Sequence, residues 1–350
     1  MKIAQVVHLG VSVPPEKYGG TERVVSHLTE ELVRLGHDVT LFASGDSTTS
    51  AKLVPGCDRA LSHTPFINRD AVLTWMLERV WNDSHEFEMI HSHLDFVGFP
   101  LARRSEVPII TTLHGHLGVP ELAPVYREFW DIPVVSISHS QRAPFPSNNW
   151  QANVYHGLPA DLHHFHPKPQ RYLAFLGRMS PEKSPDVAIR IAQRLRIPLR
   201  MAAKVDPVDR EYFETRIAPL LADPLIQYIG EITDKEKDEF LGNACAALCP
   251  YQPESFGLVV IEALACGTPV VTYRHGSFPE LIDHETTGFL CNDEDDMVQA
   301  VRRIGEIDRV RCRQEFEERF TVERMTKEYV QVYERLIREK AEKEQPVPRL

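Results

Sequence analysis

Pro253-Glu254-Ser255-Phe256-Gly257-Leu258-Val259-Val260-Ile261-Glu262-Ala263-Leu264-Ala265-Cys266-Gly267-Thr268-Pro269-Val270-Val271 is the stretch from which the rest of the chain can be read. It carries two carboxylates, Glu254 and Glu262, eight positions apart. A short loop with Phe256 and Gly257 leads into an apolar run that stops at Gly267, and a β-type run from Pro269 to Thr272 follows. The pattern predicts loop, helix, strand. A helix starting near Phe256 would aim its first N–H groups at whatever Glu254 faces, a place suited to phosphate. Two acids eight apart on one helix would stand ~12 Å apart and be rotated by ~80°. They are not a close proton-sharing dyad, and they read as holding different parts of one long ligand.

Outward from this stretch, β-branched runs alternate with amphipathic ones, the pattern of parallel sheets covered by helices. The first half predicts strands at Lys2 to Val7, Asp38 to Phe42, Glu88 to His91, Pro108 to Leu113 and Val134 to Ile137. Helices are predicted at Thr21 to Leu35, with Gly36 as its stop, and at Ala71 to Asn82. A second alternation runs through Tyr172 to Leu176, Leu199 to Ala203, Ile226 to Ile229, Ala246 to Cys249, Val270 to Tyr273 and Phe289 to Cys291. Between them Leu158 to Arg171, polar and holding three prolines, reads as a linker. A long charged helix is expected from Val322 to Glu344, followed by a frayed Gln345-Pro346-Val347-Pro348. The expected division is 1–165 and 166–321, with 322–345 returning to the first domain.

A length of 350 residues suits two domains, each with its own core. A net charge of −11 excludes generic nucleic-acid binding. Residues 1–165 hold 12 Lys and Arg against 18 Asp and Glu, which disfavours electrostatic docking on anionic lipid. No apolar run reaches the ~20 residues of a membrane span, and no signal peptide is visible at Met1-Lys2-Ile3. Cys57, Cys245, Cys249, Cys266, Cys291 and Cys312 lack metal spacing and read as reduced thiols of a cytoplasmic protein.

Arg178 and Lys183 follow the strand ending at Leu176, where open α/β sheets bind ligands. A planar guanidinium with a point-charge ammonium suits a diphosphate. Ser184-Pro185 comes next, and Pro185 suits the first position of a helix. Gly19 and Gly20 precede the first helix, where glycine lets backbone approach an anion. His114 ends a strand in Thr112-Leu113-His114-Gly115-His116. His91 and His93, in His91-Ser92-His93-Leu94-Asp95, alternate like strand-end residues and are candidates, with Asp95, to line an acceptor cleft. A zinc site with His114 or His116 is the other reading. Neither a spaced cysteine pair nor a His-Glu-x-x-His helix accompanies it, so no metal is expected. His163-His164-Phe165-His166 reads as solvated loop, and Asp293-Glu294-Asp295-Asp296 as acids at a helix start rather than metal ligands.

Glu254 to Glu262 resembles the E-x7-E motif of the retaining nucleotide-sugar glycosyltransferases of family 4. Three further segments resemble that family in the same order: Tyr18-Gly19-Gly20-Thr21-Glu22-Arg23, Leu176-Gly177-Arg178-Met179-Ser180-Pro181-Glu182-Lys183, and Tyr228-Ile229-Gly230-Glu231. Ser184 departs from it, since the family usually has glycine after the lysine. The resemblance implies an α/β GT-B fold of two Rossmann-like domains, their parallel sheets facing across a cleft, with the C-terminal helix crossing back to the N domain. It implies that Arg178 and Lys183 grip the leaving nucleoside diphosphate, that Glu254 meets sugar hydroxyls and that Glu262 meets the ribose. Backbone at Ser255, Phe256, Gly257, Leu258 and Val259 would meet sugar and diphosphate, with Ile229 and Glu231 beside the base and His114 near the reaction centre. The implied reaction moves a hexosyl group, UDP-hexose first and GDP-mannose second, to a small or glycan acceptor without metal or cofactor. A silent nucleotide-sugar binder, a GT-B epimerase or a phosphorylase are the rivals. A glycosidase would want carboxylates about 5–10 Å apart, which fits poorly.

Overall fold

Strands buried along nearly their whole length build two parallel sheets, each described below by itself. The computed structural model describes residues 1–64 and 68–344, so the expected frayed end at Gln345 to Pro348 lies outside the described residues. By internal packing the chain divides into Met1–Gly157 with the segment from Val322 on, and Leu158–Thr321.

In the first unit the strands are β1 (Lys2–Val6), β2 (Asp38–Ser44), β3 (Lys52–Cys57), β4 (Met89–Ser92), β5 (Ile109–Thr112), β6 (Val134–Ser136) and β7 (Trp150–Asn153). They pair in the order β3-β2-β1-β4-β5-β6-β7, all parallel. β1 is central, with Ile3 beside Val39 on one side and Met89 on the other. Successive residues of β2 serve opposite faces: Leu41 and Ala43 pack with Val7, Val13 and Val25, while Phe42 packs with Val6, Leu61, Met76 and Ile90. The helix Gly20–Arg34 buries Val24, Val25, Leu28 and Leu32, and the chain leaves it through Gly36 at φ +85°.

The last helix, Val322–Glu344, packs against Gly20–Arg34 and buries Tyr329 and Tyr333 completely. Two strands were not foreseen. β3 contains Pro55-Gly56 and β7 reads Trp-Gln-Ala-Asn, and both lie at sheet edges, where such residues are tolerated.

The second unit has β8 (Leu173–Arg178), β9 (Leu199–Lys204), β10 (Ile226–Gly230), β11 (Ala246–Cys249), β12 (Val270–Tyr273) and β13 (Gly288–Cys291). Their order is β10-β9-β8-β11-β12-β13, again parallel. The joint falls at Gly157/Leu158 rather than 165/166. The physical reason is that the segment read as a linker is fastened to this unit. Leu158 N–H donates to Phe320 O at 2.9 Å, His166 N–H to Cys266 O at 3.0 Å and Gln170 N–H to Asn243 O at 2.7 Å. Arg309 and Arg313 donate to its carbonyls at His166, His163 and Ala160. His163 is accordingly buried, against the expectation of a solvated loop.

The key helix runs Leu258–Ala265 instead of starting near Phe256, because Gly257 breaks it at φ +109°, a left-handed backbone that glycine adopts freely. All six cysteines are free, and Cys249 lies inside β11. Among the described residues no helix is long and apolar enough to cross a membrane.

Candidate functional site

Each sheet has one place where chain order reverses, the position at which open α/β sheets bind ligands beyond their carboxyl ends. In the second unit it lies between β8 and β11. Arg178 is the last residue of β8, and Glu254 lies in the loop after β11. After β8 a tight turn, Pro181–Lys183, brings Lys183 back, Ser184 takes a left-handed φ of +48°, and Pro185 opens the helix Pro185–Leu195 as expected.

Lys183 and Glu254, 71 positions apart, meet here as an ion pair. The ammonium also sits 4.5 Å from the centre of the Tyr251 ring. Burial, with Arg178's charge acting in the same direction, brings the Lys183 ammonium down to about 8. Arg178 is ringed by carboxylates: Glu182 at 2.7 Å, Asp209 at 3.2 Å and Asp206 at 3.7 Å. Lys204 at the end of β9 pairs with Asp206 at 2.6 Å.

The loop from Glu254 to Gly257 is held from behind. Ser277 N–H donates to Glu254 O at 3.2 Å, and the Ser277 hydroxyl donates to Phe256 O. Gly276 must be glycine for this approach, since a Cβ there would stand 2.9 Å from Glu254 N. Leu258 and Val259 fall in the first turn of the helix, whose amides precede the intrahelical ladder. Phe256 is buried against Phe320, so only the backbone of that position is available to a ligand.

Glu262 is 2% exposed and its Oε1 accepts from Lys237 Nζ at 2.7 Å. Lys237 comes from the helix Asp234–Gly242, fixed by a capping box between Thr233 and Glu236, and also pairs with Asp234 at 3.2 Å. At the end of β10, Ile229 is 39% exposed where the register with β9 slips, and Gly230 turns the chain at φ +77°. Glu231 follows directly.

In the first unit the reversal lies between β1 and β4. Gly19 caps the helix after β1, and a Cβ on it would collide with Pro15 at 2.8 Å; Gly20 is the first helical residue. His114 donates its backbone N–H to Asp95 Oδ1 at 3.1 Å and stacks on His156 at 5.3 Å. Behind it lies a chain of polar groups reaching the last helix. His114 Nε2 is 2.9 Å from His93 Nδ1, and His93 Nε2 is 2.8 Å from Gln5 Oε1. Gln5 Nε2 donates to the Tyr333 hydroxyl at 3.4 Å, which lies 2.7 Å from His91 Nδ1. His91 Nε2 meets Thr112 Oγ1 at 2.7 Å, and Thr112 meets the Tyr329 hydroxyl at 2.9 Å.

With Gln5 so placed, His93 Nε2 donates, its Nδ1 accepts, and His114 Nε2–H is the donor between them. Burial pushes His91, His93 and His156 well below the usual imidazole range and His114 down to about 3. These rings are neutral near pH 7, so they orient and hydrogen-bond rather than supply a cationic acid. His91, at 0% exposure with both nitrogens engaged, is an interior residue and does not line a cleft. His93 is 1% exposed and reaches outward only through His114, while Asp95 is half-buried.

Comparison with known proteins addresses the same two halves. Residues 162–321 match the family described as glycosyl transferases group 1, and residues 18–181 match glycosyltransferase family 4. The chain belongs to the family 4 glycosyltransferases. This glycosyltransferase is 28% identical over 339 residues to a D-inositol 3-phosphate glycosyltransferase of Frankia alni, with 79% of this chain and 83% of that one covered. Sucrose-phosphate synthase from Thermosynechococcus elongatus superposes with a TM-score of 0.78 at 19% identity, covering 97% of this chain and 99% of that one. Anabaena HepE, solved with UDP and glucose, superposes at 0.76 and 16% identity, covering 96% and 100%. The architecture of the glycosyltransferase is accordingly GT-B, α/β with two Rossmann-like domains.

Sequence reading of the glycosyltransferase did not find Lys237, Lys204, Asp206 or Asp209. Lys237 stands in an acidic helix, and nothing in its neighbours marks the buried carboxylate it meets. The Asp293–Asp296 run opens a helix: Asp293 accepts from Asp296 N–H at its start, and Glu294 and Asp295 pair with Arg190 and Arg194.

Proposed function

We propose that this enzyme is a retaining, metal-independent hexosyltransferase that uses a nucleoside-diphosphate sugar, UDP-hexose first and GDP-mannose second. The observation that carries the reading is the meeting of Lys183 and Glu254 at the reversal point of the second sheet, with Arg178 and the first turn of Leu258–Ala265 as neighbours in the chain. A sugar diphosphate offers each of these groups a better partner than it has now. The diphosphate oxygens take Lys183 and Arg178 from their carboxylates, and the released Glu254 accepts from sugar hydroxyls. Glu262, fixed by Lys237, is the candidate for the ribose, and exposed Ile229 with Glu231 for the base. UDP is favoured because it is the nucleotide held by the Anabaena neighbour.

In the reaction the bond from the sugar C1 to the β-phosphate oxygen breaks, and the acceptor oxygen bonds to C1 on the same face. The acceptor proton passes to the departing phosphate. Negative charge grows on that phosphate, so fixed cations and helix amides lower the barrier; one such donor contributes ~3 kcal/mol. His114, kept neutral by burial, and Gly19 with Gly20 are assigned to the sugar and phosphate as hydrogen-bonding groups. The acceptor-side assignment narrows to Asp95, with His93 acting through His114 and His91 in support.

The test is proton NMR of the first product formed from UDP-α-glucose or GDP-α-mannose with excess EDTA. An α-glycoside at undiminished rate is expected. A β-glycoside, or turnover that returns only with magnesium or manganese, overturns the reading.

A further inference from the structure

The histidines that open the second unit converge on a cysteine and an aspartate. His163 is 1% exposed and Cys266 is fully buried. Asp238 reaches them from the helix Asp234–Gly242, and Cys266 caps the helix Leu258–Ala265. One ligand-type atom each of His163, Asp238 and Cys266 lies within 4.8 Å of the other two. Asp238 Oδ1 is 3.9 Å from Cys266 Sγ and 3.4 Å from His166 Nε2. In a tetrahedral zinc site with bonds of about 2.0–2.3 Å, ligand atoms stand about 3.3–3.8 Å apart. The Asp238–Cys266 separation is already close to this range, and the His163 atom, within 4.8 Å of both, would have to move in by about 1 Å for an ion to be enclosed.

The positions are also fixed independently of any ion. His164 donates its backbone N–H to Asp238 Oδ1 at 2.7 Å, and its ring meets Oδ2 at 2.8 Å, the kind of outer support that ligating carboxylates have. His166 N–H donates to Cys266 O, and Arg313 donates to both His163 O and Ala265 O. Gly242 leaves room for the His166 ring, because a Cβ there would stand 2.2 Å from its Cδ2.

We propose that His163, Asp238 and Cys266 form a structural site for a zinc-type divalent ion, with His166 beside the fourth position. Imidazole, thiolate and carboxylate together suit zinc rather than the oxygen-seeking magnesium or calcium. The thiol loses its proton to solvent on binding, and thiolate and carboxylate then balance the ion's two charges, so the buried site is neutral. Its role is to clip the segment after Leu158 to the rest of the second unit. Cys266 stands twelve positions after Glu254, at the opposite end of the helix Leu258–Ala265, and the role assigned to the ion is structural rather than in transfer.

The test uses the full chain, stripped with chelator and titrated with Co2+. Expected are one equivalent bound, a thiolate-to-cobalt charge-transfer band in the near ultraviolet, and displacement of both by Zn2+. Cys266→Ser abolishes that band, and His163→Gln weakens binding at least about tenfold, since even outer-shell partners matter by that much. Zn2+ raises the melting temperature of the native protein and not that of a Cys266→Ala, His163→Gln double variant. Circular dichroism of the metal-free variants checks that they fold. Absence of the charge-transfer band, or an equal zinc-induced rise in the double variant, overturns the proposal whatever the transferase assay gives.

Discussion

On the proposed reading, Lys183 is the residue on which nucleotide binding should depend most sharply. Its ammonium, lowered to about 8 by burial, is charged below that pH and neutral above it. A neutral amine does not attract diphosphate, so UDP affinity is expected to be level from pH 6 to 7.5. Above pH 8 it should fall by up to about tenfold per unit, the limit for one linked proton. Calorimetric titration from pH 6 to 10 checks this; Lys183→Ala should bind more weakly and lose the slope. Glu262 depends on its partner in another way. Lys237→Met would leave a carboxylate at 2% exposure without its nearest cation and is expected to cost ~3 kcal/mol in urea unfolding. Lys237→Met with Glu262→Gln should recover much of that loss. At this scale the sequence showed Arg178 with Lys183 after one strand and Glu254 with Glu262 around one helix, because each pair is local; it did not show that Lys183 meets Glu254, 71 positions away. It was silent on Lys237, whose role comes from a contact between two helices, and on Asp206 and Asp209, which meet Arg178 from beyond the neighbouring strand. It misled on His91, because alternation at a strand end does not reveal which face lies under a helix.

Among the elements, the helix Val322–Glu344 contributes chemistry as well as packing. Tyr333 satisfies His91 and Gln5, and Tyr329 satisfies Thr112. Tyr333→Phe removes a hydroxyl shared by two buried groups and is expected to destabilise by about 1–3 kcal/mol. It should also lower kcat more than KM, since His114 would lose the chain of bonds that sets its tautomer. Tyr329→Phe, further from His114, should show the stability loss with little change in kcat; denaturant curves and steady-state rates separate the two. The elements themselves were largely legible from periodicity, and β11 and β12 fall at the predicted residues. β3 and β7 escaped because edge strands need neither strict alternation nor a complete ladder of N–H groups. The helix after Glu254 begins at Leu258 because Gly257 is left-handed, a conformation that composition permits and does not demand.

For the whole molecule, the division into Met1–Gly157 with the chain from Val322, and Leu158–Thr321, lets truncation probe each unit by itself. Truncation before Val322 is expected to leave Leu158–Thr321 resistant to protease while Met1–Gly157 becomes susceptible, because His91, Thr112 and Gln5 lose their tyrosine partners. Limited proteolysis with mass spectrometry reads this directly, and equal resistance of both units would contradict it. The interrupted first unit has a further consequence, in time. A ribosome delivers Met1–Gly157 first and must then make the entire second unit and the last helix before the first can be finished. At ~5–20 residues per second, that delay is on the order of 10–40 s. Throughout it, a seven-stranded sheet waits with one nitrogen of His91 and one of Gln5 lacking their tyrosine partner, exposed to chaperones and to neighbouring nascent chains. The second unit, encoded without interruption, can close as soon as Thr321 clears the exit tunnel. The half of the enzyme that starts first is therefore the half that matures last.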